Sequence, residues 1–417
     1  MKKYLLGLGA VWAVIILMNL LAWFSVPFSD FYVAHIFPIW VVTYGRLTGL
    51  FPFSVGEWML YLAVIYIVVN LILIFPAVFL RKRPGGKRLL RILAVCPGFI
   101  TLVCLIMTLN CTILYHTSPL EQAIDALDAD GNADRPGVSP AGEDTDRRGM
   151  SLAGENTDRP GVLSERENAD ELEELVALRE MLVNQCNELS LIMPRDERGY
   201  VVIENGMDTA DNPAYYREIA RDAGDAMRGI SGRFPRLTGY YPEPKPFWAS
   251  WFFSQQYMCG YYFPFSMEAN YNNMMYIMNI PFTMCHELAH LRGYIQENEA
   301  NFLAYLACVE SGDPLFVYSG CLNVMTYVER DLAEALRTAN DPQLQASLTP
   351  ISGLVMTDQR FLTPEAWEEV ETVSFLDTQT VARISDDFLE TNLNLNGVSE
   401  GTVSYSRVVE LLLLYYK

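Results

Sequence analysis

Histidine is scarce in this chain, with four in 417 residues. Clustered Lys and Arg are missing beyond the apolar N-terminal third, and acidic residues are almost absent from that third. The first scarcity means that a site built from imidazoles has few residues to draw on. The second argues against nucleic acid as a partner, because phosphate binding needs grouped cations and the net charge is −20. Cysteine is present eight times but without regular spacing. Cys96, Cys104 and Cys111 fall in one apolar run, and the remaining five are an odd number, so no disulfide framework is read from them. A Cys308–Cys321 bridge stays open.

What the chain has in abundance is long apolar runs. Residues 4–24, 58–80 and 92–115 each reach the roughly 20 residues that cross a bilayer. No small-residue cleavage site follows the first, so it reads as a span and not a signal peptide. Lys2 and Lys3 precede the first run, and Arg81, Lys82, Arg83, Lys87, Arg88 and Arg91 crowd the loop before the third. Positive residues mark the cytoplasmic side. Residues 25–57 carry one basic residue, Arg46, as an outer loop would. Three spans then place everything after residue 116 outside the cytoplasm, in a multi-pass protein of the cell membrane. The lipid bilayer is the first partner implied; oligomeric state is not legible.

Between residues 133 and 168 the chain repeats with a period of twelve: "ADRPGVSPAGED", "TDRRGMSLAGEN", "TDRPGVLSEREN". Pro, Gly and charge without aromatics cannot bury enough apolar surface to offset ordering entropy. Residues 117–168 are therefore expected to be a disordered acidic tether, and 169–417 a folded domain. Within it, residues 169–191, 213–230, 281–293, 297–311 and 321–338 have helical spacing, and the aromatic stretch before Asn272 reads as two or more strands. The expected fold is a three-helix transmembrane region followed by a mainly helical α+β domain.

The stretch "PFTMCHELAHLRGYIQENEANFLAYLAC", residues 281–308, carries the chemistry. His286 and His290 are four apart and point the same way on a helix, so both reach one tetrahedral Zn2+, while Glu287 acts as general base toward a zinc-activated water. No histidine remains as third ligand: His35 lies in the first outer loop and His116 ends the third run. A carboxylate must serve. Gly293 suits a left-handed turn that brings Glu297 or Glu299 back to the metal. The chemistry expected of such a site is hydrolysis of a peptide or protein substrate. Two alternatives are an intramembrane zinc protease and a non-catalytic zinc-binding membrane sensor or scaffold. The first is disfavoured, since Asn279 and Pro281 break the preceding apolar stretch and the three runs lack an interior Asp or Glu. Glu287 argues against the second, because structural zinc sites close with Cys and lack that base.

These residues resemble the zincin metallopeptidases, and among them the gluzincins, whose third ligand is a Glu on a following helix with Asp or Asn four residues on. That resemblance implies a zincin-like catalytic domain at 169–417, Glu297 as ligand and Asn301 as the group orienting a zinc histidine, with Glu299 as the competing ligand. "ENEANFLAYL" is also similar to the ligand helix of a peptidase family involved in regulator cleavage. Gln296 stands where metzincins have their third His, which disfavours that assignment. Zincins place an edge strand for extended substrate before the active-site helix, which implies Glu268, Ala269 and Asn270 for that role. They also use a Tyr, His or Arg on the oxyanion, for which Tyr405 or Arg407 is the candidate. More widely, "YFPFSMEAN", "ENEANFLAYLAC" and "SYSRVVELLLLYY" resemble a family of multi-pass bacterial membrane proteins catalogued as a domain of unknown function. The repeats look like an insertion into that pattern, and the last helix, too short to span, is expected to pack in the core.

Overall fold

The computed structural model describes residues 2–79, 85–129, 165–202, 213–383, 385 and 407–417. It is mainly helical, with one small sheet. Four helical stretches are long and apolar enough to cross a membrane: Lys3–Phe24, Val26–Thr48, Val55–Ile72 and Val95–His116. They are the signature of a membrane protein. In order, α1 is Lys2–Phe24, α2 is Val26–Thr48, α3 is Val55–Phe79 and α4 is Gly85–Met107, continued by tight turns to His116.

The second of these corrects the expectation of an outer loop at 25–57. Its mean hydropathy, 1.2, is the lowest of the four. Pro27, Pro38 and Gly45 interrupt the apolar pattern, and two π-turns, Tyr32–Ile36 and Val41–Gly45, absorb the interruptions without ending the helix.

Hydrogen bonds fix how the N-terminal helices run. Trp12 Nε1 donates to Thr101 Oγ1 at 2.9 Å and Asn19 Nδ2 to Thr108 Oγ1 at 2.9 Å. Residue numbers rise together in these two pairs, so α1 and α4 are parallel. The end of α1 meets the end of α4 again where the Trp23 and His116 rings lie 4.7 Å apart.

After α4 come α5 (Leu120–Ala129), α6 (Glu165–Ile192) and α7 (Pro213–Gly229). The expected tether therefore starts later than residue 117, because Leu120 and Ile124 of α5 are buried in the core. Residues 130–164 lie outside the described residues, as does Tyr405. The sheet has the order β1-β3-β2, from Lys245–Pro246, Glu268–Tyr271 and Gly260–Phe263. β3 pairs with β1 in parallel and with β2 antiparallel. The helical half follows: α8 (Ile280–His290), α9 (Glu297–Glu310) and α10 (Pro314–Ala339), then short helices and the last helix, α11 (Val408–Tyr416). Asp313 caps α10 by accepting from Leu315 N and Phe316 N, with Pro314 as its first residue. α10 thus begins seven residues before the expected position 321.

One apolar core joins the N-terminal helices to the rest. Tyr32, Val33, Phe37 and Val41 of α2 share it with Leu114, Leu120, Leu182, Met227 and the buried faces of α8, α9 and α10. Val408, Leu411, Leu412 and Tyr415 of α11 complete it, as expected for a helix too short to span. The Cys308–Cys321 bridge left open by the sequence is not formed: Cys308 Sγ lies 3.9 Å from Cys285 Sγ, Cys321 Sγ faces Gln185 Oε1 at 3.2 Å, and every cysteine is free.

Candidate metal centre

α8 is buried along nearly its whole length, with Pro281 in its first turn. It ends just before Gly293, whose φ is +87°, a backbone conformation that favours glycine. A Cβ there would also stand 2.6 Å from Val33 Cγ1 of α2. The turn delivers Glu297 as the first residue of α9, where the helix dipole favours a carboxylate.

The result is a cluster of His286, His290 and Glu297 whose donor atoms all lie within 4.8 Å of one another. His286 Nε2 is 3.2 Å from Glu297 Oε2, and His290 Nε2 is 3.8 Å from Glu297 Oε1. His290 Nδ1 lies 2.8 Å from the Tyr294 carbonyl. That bond assigns the proton to Nδ1 and leaves Nε2 with a lone pair directed at the cluster. Burial, then the neighbouring His286, pushes the His290 imidazole down to about 4, so it is neutral at pH 7. Burial opposes the charge on His286 too, but Glu297 outweighs it and raises that imidazole. Burial would raise Glu297, and the two imidazoles hold it below its ordinary value.

This donor set, two imidazole nitrogens and one carboxylate on converging helices, fits a tetrahedral Zn2+ with one position left for water or substrate. Three buried polar atoms beside it make no hydrogen bond: His286 Nδ1, Glu287 Oε2 and Asn301 Nδ2. Asn301 lies close enough to His286 to favour its protonated form, and also neighbours Tyr327. Glu287 is buried between α8 and β2; burial is the main cause that pushes its carboxyl up to about 8, with the Tyr262 N–H acting in the opposite sense. A Cβ on Gly260 would lie 2.5 Å from Glu287 Oε1, so glycine is what lets β2 pass this close to the carboxylate.

Glu299 does not join the cluster. Its Oε1 accepts from Leu120 N at 2.8 Å, and burial raises its carboxyl to about 7. It holds the start of α5. The strand expectation is corrected as well: Glu268, Ala269 and Asn270 lie on β3, the central strand, which has β2 along its whole length and β1 beside Asn270 and Tyr271. Glu268 is buried and accepts from Lys245 Nζ at 2.6 Å, Gly56 N at 2.7 Å and Val55 N at 3.2 Å. The edge strand beside Glu287 is β2. The resemblance located the edge strand only by its place before the active-site helix, and two strands precede α8, of which β2 is the outer one. Arg407 is exposed where α11 begins.

Residues missed in the sequence are three tyrosines within electrostatic reach of Glu297: Tyr115 at the end of the fourth apolar stretch, Tyr261 on β2 and Tyr327 on α10. The Tyr115 carbonyl accepts from Gln296 Nε2 at 3.4 Å, which ties that stretch to the residue preceding Glu297. No motif marks these phenols; only the packing gathers them.

No curated protein and no solved structure matches this chain. The model of one family, described as "Protein of unknown function (DUF3810)", matches residues 32–134 and 152–413. The match takes in α2 from Tyr32 onward, the cluster and the first six residues of α11, and the residues it leaves out at 135–151 fall inside the twelve-residue repeats. Covering most of the sequence on both sides of those repeats, it makes the chain a member of the DUF3810 family.

Proposed function

We propose that this protein is a membrane-anchored, zinc-dependent metallopeptidase of gluzincin type. The single observation that carries the reading is the convergence of His286, His290 and Glu297 within 4.8 Å, with Glu287 buried alongside and facing the edge strand. In this reading the two imidazoles and Glu297 hold Zn2+, and Asn301 steadies His286. The metal would supply Lewis acidity toward the scissile carbonyl and acidify a water. Glu287 takes the proton from the attacking water and hands it to the leaving amine. Its raised proton affinity in a buried site suits a group that must both accept and release a proton. The tyrosines near Glu297 offer phenol donors for the developing oxyanion, a role in which Tyr261 has the most direct access from the open side of β2.

For the membrane arrangement, we infer three crossings by α1, α3 and α4, with the metal-bearing domain on the extracytoplasmic side. The parallel pairing of α1 and α4 supports this, since one return crossing by α3 then suffices.

The test is zinc content and peptide hydrolysis of the purified full-length chain. We expect about one zinc per chain, lost in Glu297→Ala and kept in Glu287→Gln and Glu299→Ala. Hydrolysis should fall about 10²–10⁴-fold in Glu287→Gln. A folded wild-type protein that takes up no zinc would end the hydrolase reading. A Glu287→Gln protein with unchanged hydrolysis would remove Glu287 from the chemistry.

A further inference from the structure

α2 is long enough to cross a bilayer, yet both of its ends are fastened to the same side of the molecule. Near its start, Asp30 pairs with Arg236 at 3.1 Å and accepts from Ser118 N at 2.9 Å. In its middle, Val33 and Phe37 lie against Gly293. At its end, Thr48 Oγ1 donates to the Ser266 carbonyl at 3.0 Å, and Lys245 Nζ donates to the Thr48 carbonyl at 2.7 Å. A helix touching the domain along its whole length does not traverse a bilayer whose other crossings run away from that domain. Its outer face is nonetheless apolar: Phe31, Ile39 and Leu47 are each 56 % exposed. An apolar face on a helix that does not cross belongs in the interface plane.

The domain's own apolar surface continues this level. Trp248 is 73 % exposed and stacks near Trp58 and Tyr61 in the opening turns of α3, at ring separations of 5.8 and 6.1 Å. Aromatic rings at the start of a crossing helix sit at headgroup depth. From Trp248 the chain leads to β2, where Tyr261 is 45 % exposed beside Glu287. The cluster is thus separated from the interface by roughly one helix diameter, about 10 Å.

From this geometry we infer that α2 lies flat in the outer interface beneath the metal centre, and that the substrate is the membrane-proximal segment of a membrane-anchored polypeptide. The inference deepens the peptidase reading and rests on it for the word substrate; the placement of α2 does not. A freely diffusing peptide gains nothing from a site at this depth, whereas a segment tethered next to a lipid surface is held where β2 and Glu287 meet it.

Two measurements on the full-length protein reconstituted in vesicles test this. In the first, Ile39→Cys and Leu47→Cys carry a fluorophore whose depth is read by quenching with lipids brominated at different chain positions. Both should be shallow. A label at Ile39 near the bilayer centre would make α2 a crossing helix and overturn the inference while leaving the peptidase reading intact. In the second, a library of quenched decapeptides is presented on a transmembrane anchor through a spacer of about 4 or about 30 residues. Cleavage at least about tenfold faster with the short spacer is expected. Equal cleavage with both spacers overturns the inference alone. With shallow labels, cleavage of neither by zinc-loaded protein overturns the peptidase reading, and the substrate assignment falls with it.

Discussion

Glu287 and Glu299 are both buried glutamates two residues or fewer from a candidate ligand, yet their surroundings give them different work. Each has a backbone N–H near it, Leu120 N for Glu299 and Tyr262 N for Glu287, but Oε2 of Glu287 is left buried without a partner. In the metal-free protein the Glu287 carboxyl is raised from 4.5 to about 8. The folded state then binds this proton more tightly than the unfolded state. The resulting stabilisation is complete below about pH 4.5 and is lost as pH rises through about 8. We therefore expect the Tm of the metal-free protein to fall between pH 5 and pH 8.5 more steeply for the wild type than for Glu287→Gln, whose amide does not titrate. Parallel melting profiles would show that the carboxyl is not held protonated. At this scale the sequence was most informative about His286, Glu287 and His290, because a four-residue helical spacing fixes direction locally, whereas Glu297 and Glu299 stayed rivals until the fold placed only Glu297 beside the imidazoles. It was silent on Tyr115, Tyr261 and Tyr327, which come from three distant segments and meet only through tertiary packing.

Among the elements, the turn after α8 carries the tightest constraint. Gly293 combines a positive φ with contact against Val33, so Gly293→Ala should lower stability by about 1–3 kcal/mol in a thermal melt. Adding Val33→Ala should recover the steric part only, leaving the cost of the backbone conformation. Full recovery would mean that the φ value is not a constraint. The helices of the C-terminal half were legible from their regular apolar spacing, with α10 starting seven residues earlier than expected. α2 was not: two prolines and a glycine lowered its hydropathy, and it is held helical by packing on the domain. The strand order escaped for a related reason. β1 and β3 pair across 21 intervening residues, and nothing local in "EANY" says that a second strand lies beside its last two residues.

For the whole molecule, the boundary drawn at residue 169 does not divide two folding units. The core that encloses α8 and α9 includes Tyr32, Phe37, Leu114 and Ile124. The buried Lys245–Glu268 pair, 2.6 Å apart, also holds the Thr48 carbonyl and the first residues of α3. A fragment of residues 169–417 should therefore lack a cooperative melt and bind zinc weakly, whereas the full chain in detergent should show both. A soluble fragment with a sharp transition and full zinc content would refute this account. The parallel contact between α1 and α4 also sets a timetable for synthesis. Trp12 Nε1 must wait for a partner 89 positions later, and Asn19 Nδ2, which already has the Ile15 carbonyl in its own helix, gains its second acceptor at the same distance along the chain. The surfaces of the apolar helices that receive α8 and α9 are thus complete only after α4 has been made, and the histidines emerge from the ribosome later still. The chain order itself makes the gathering of His286, His290 and Glu297 a late event, one that the finished helix bundle precedes.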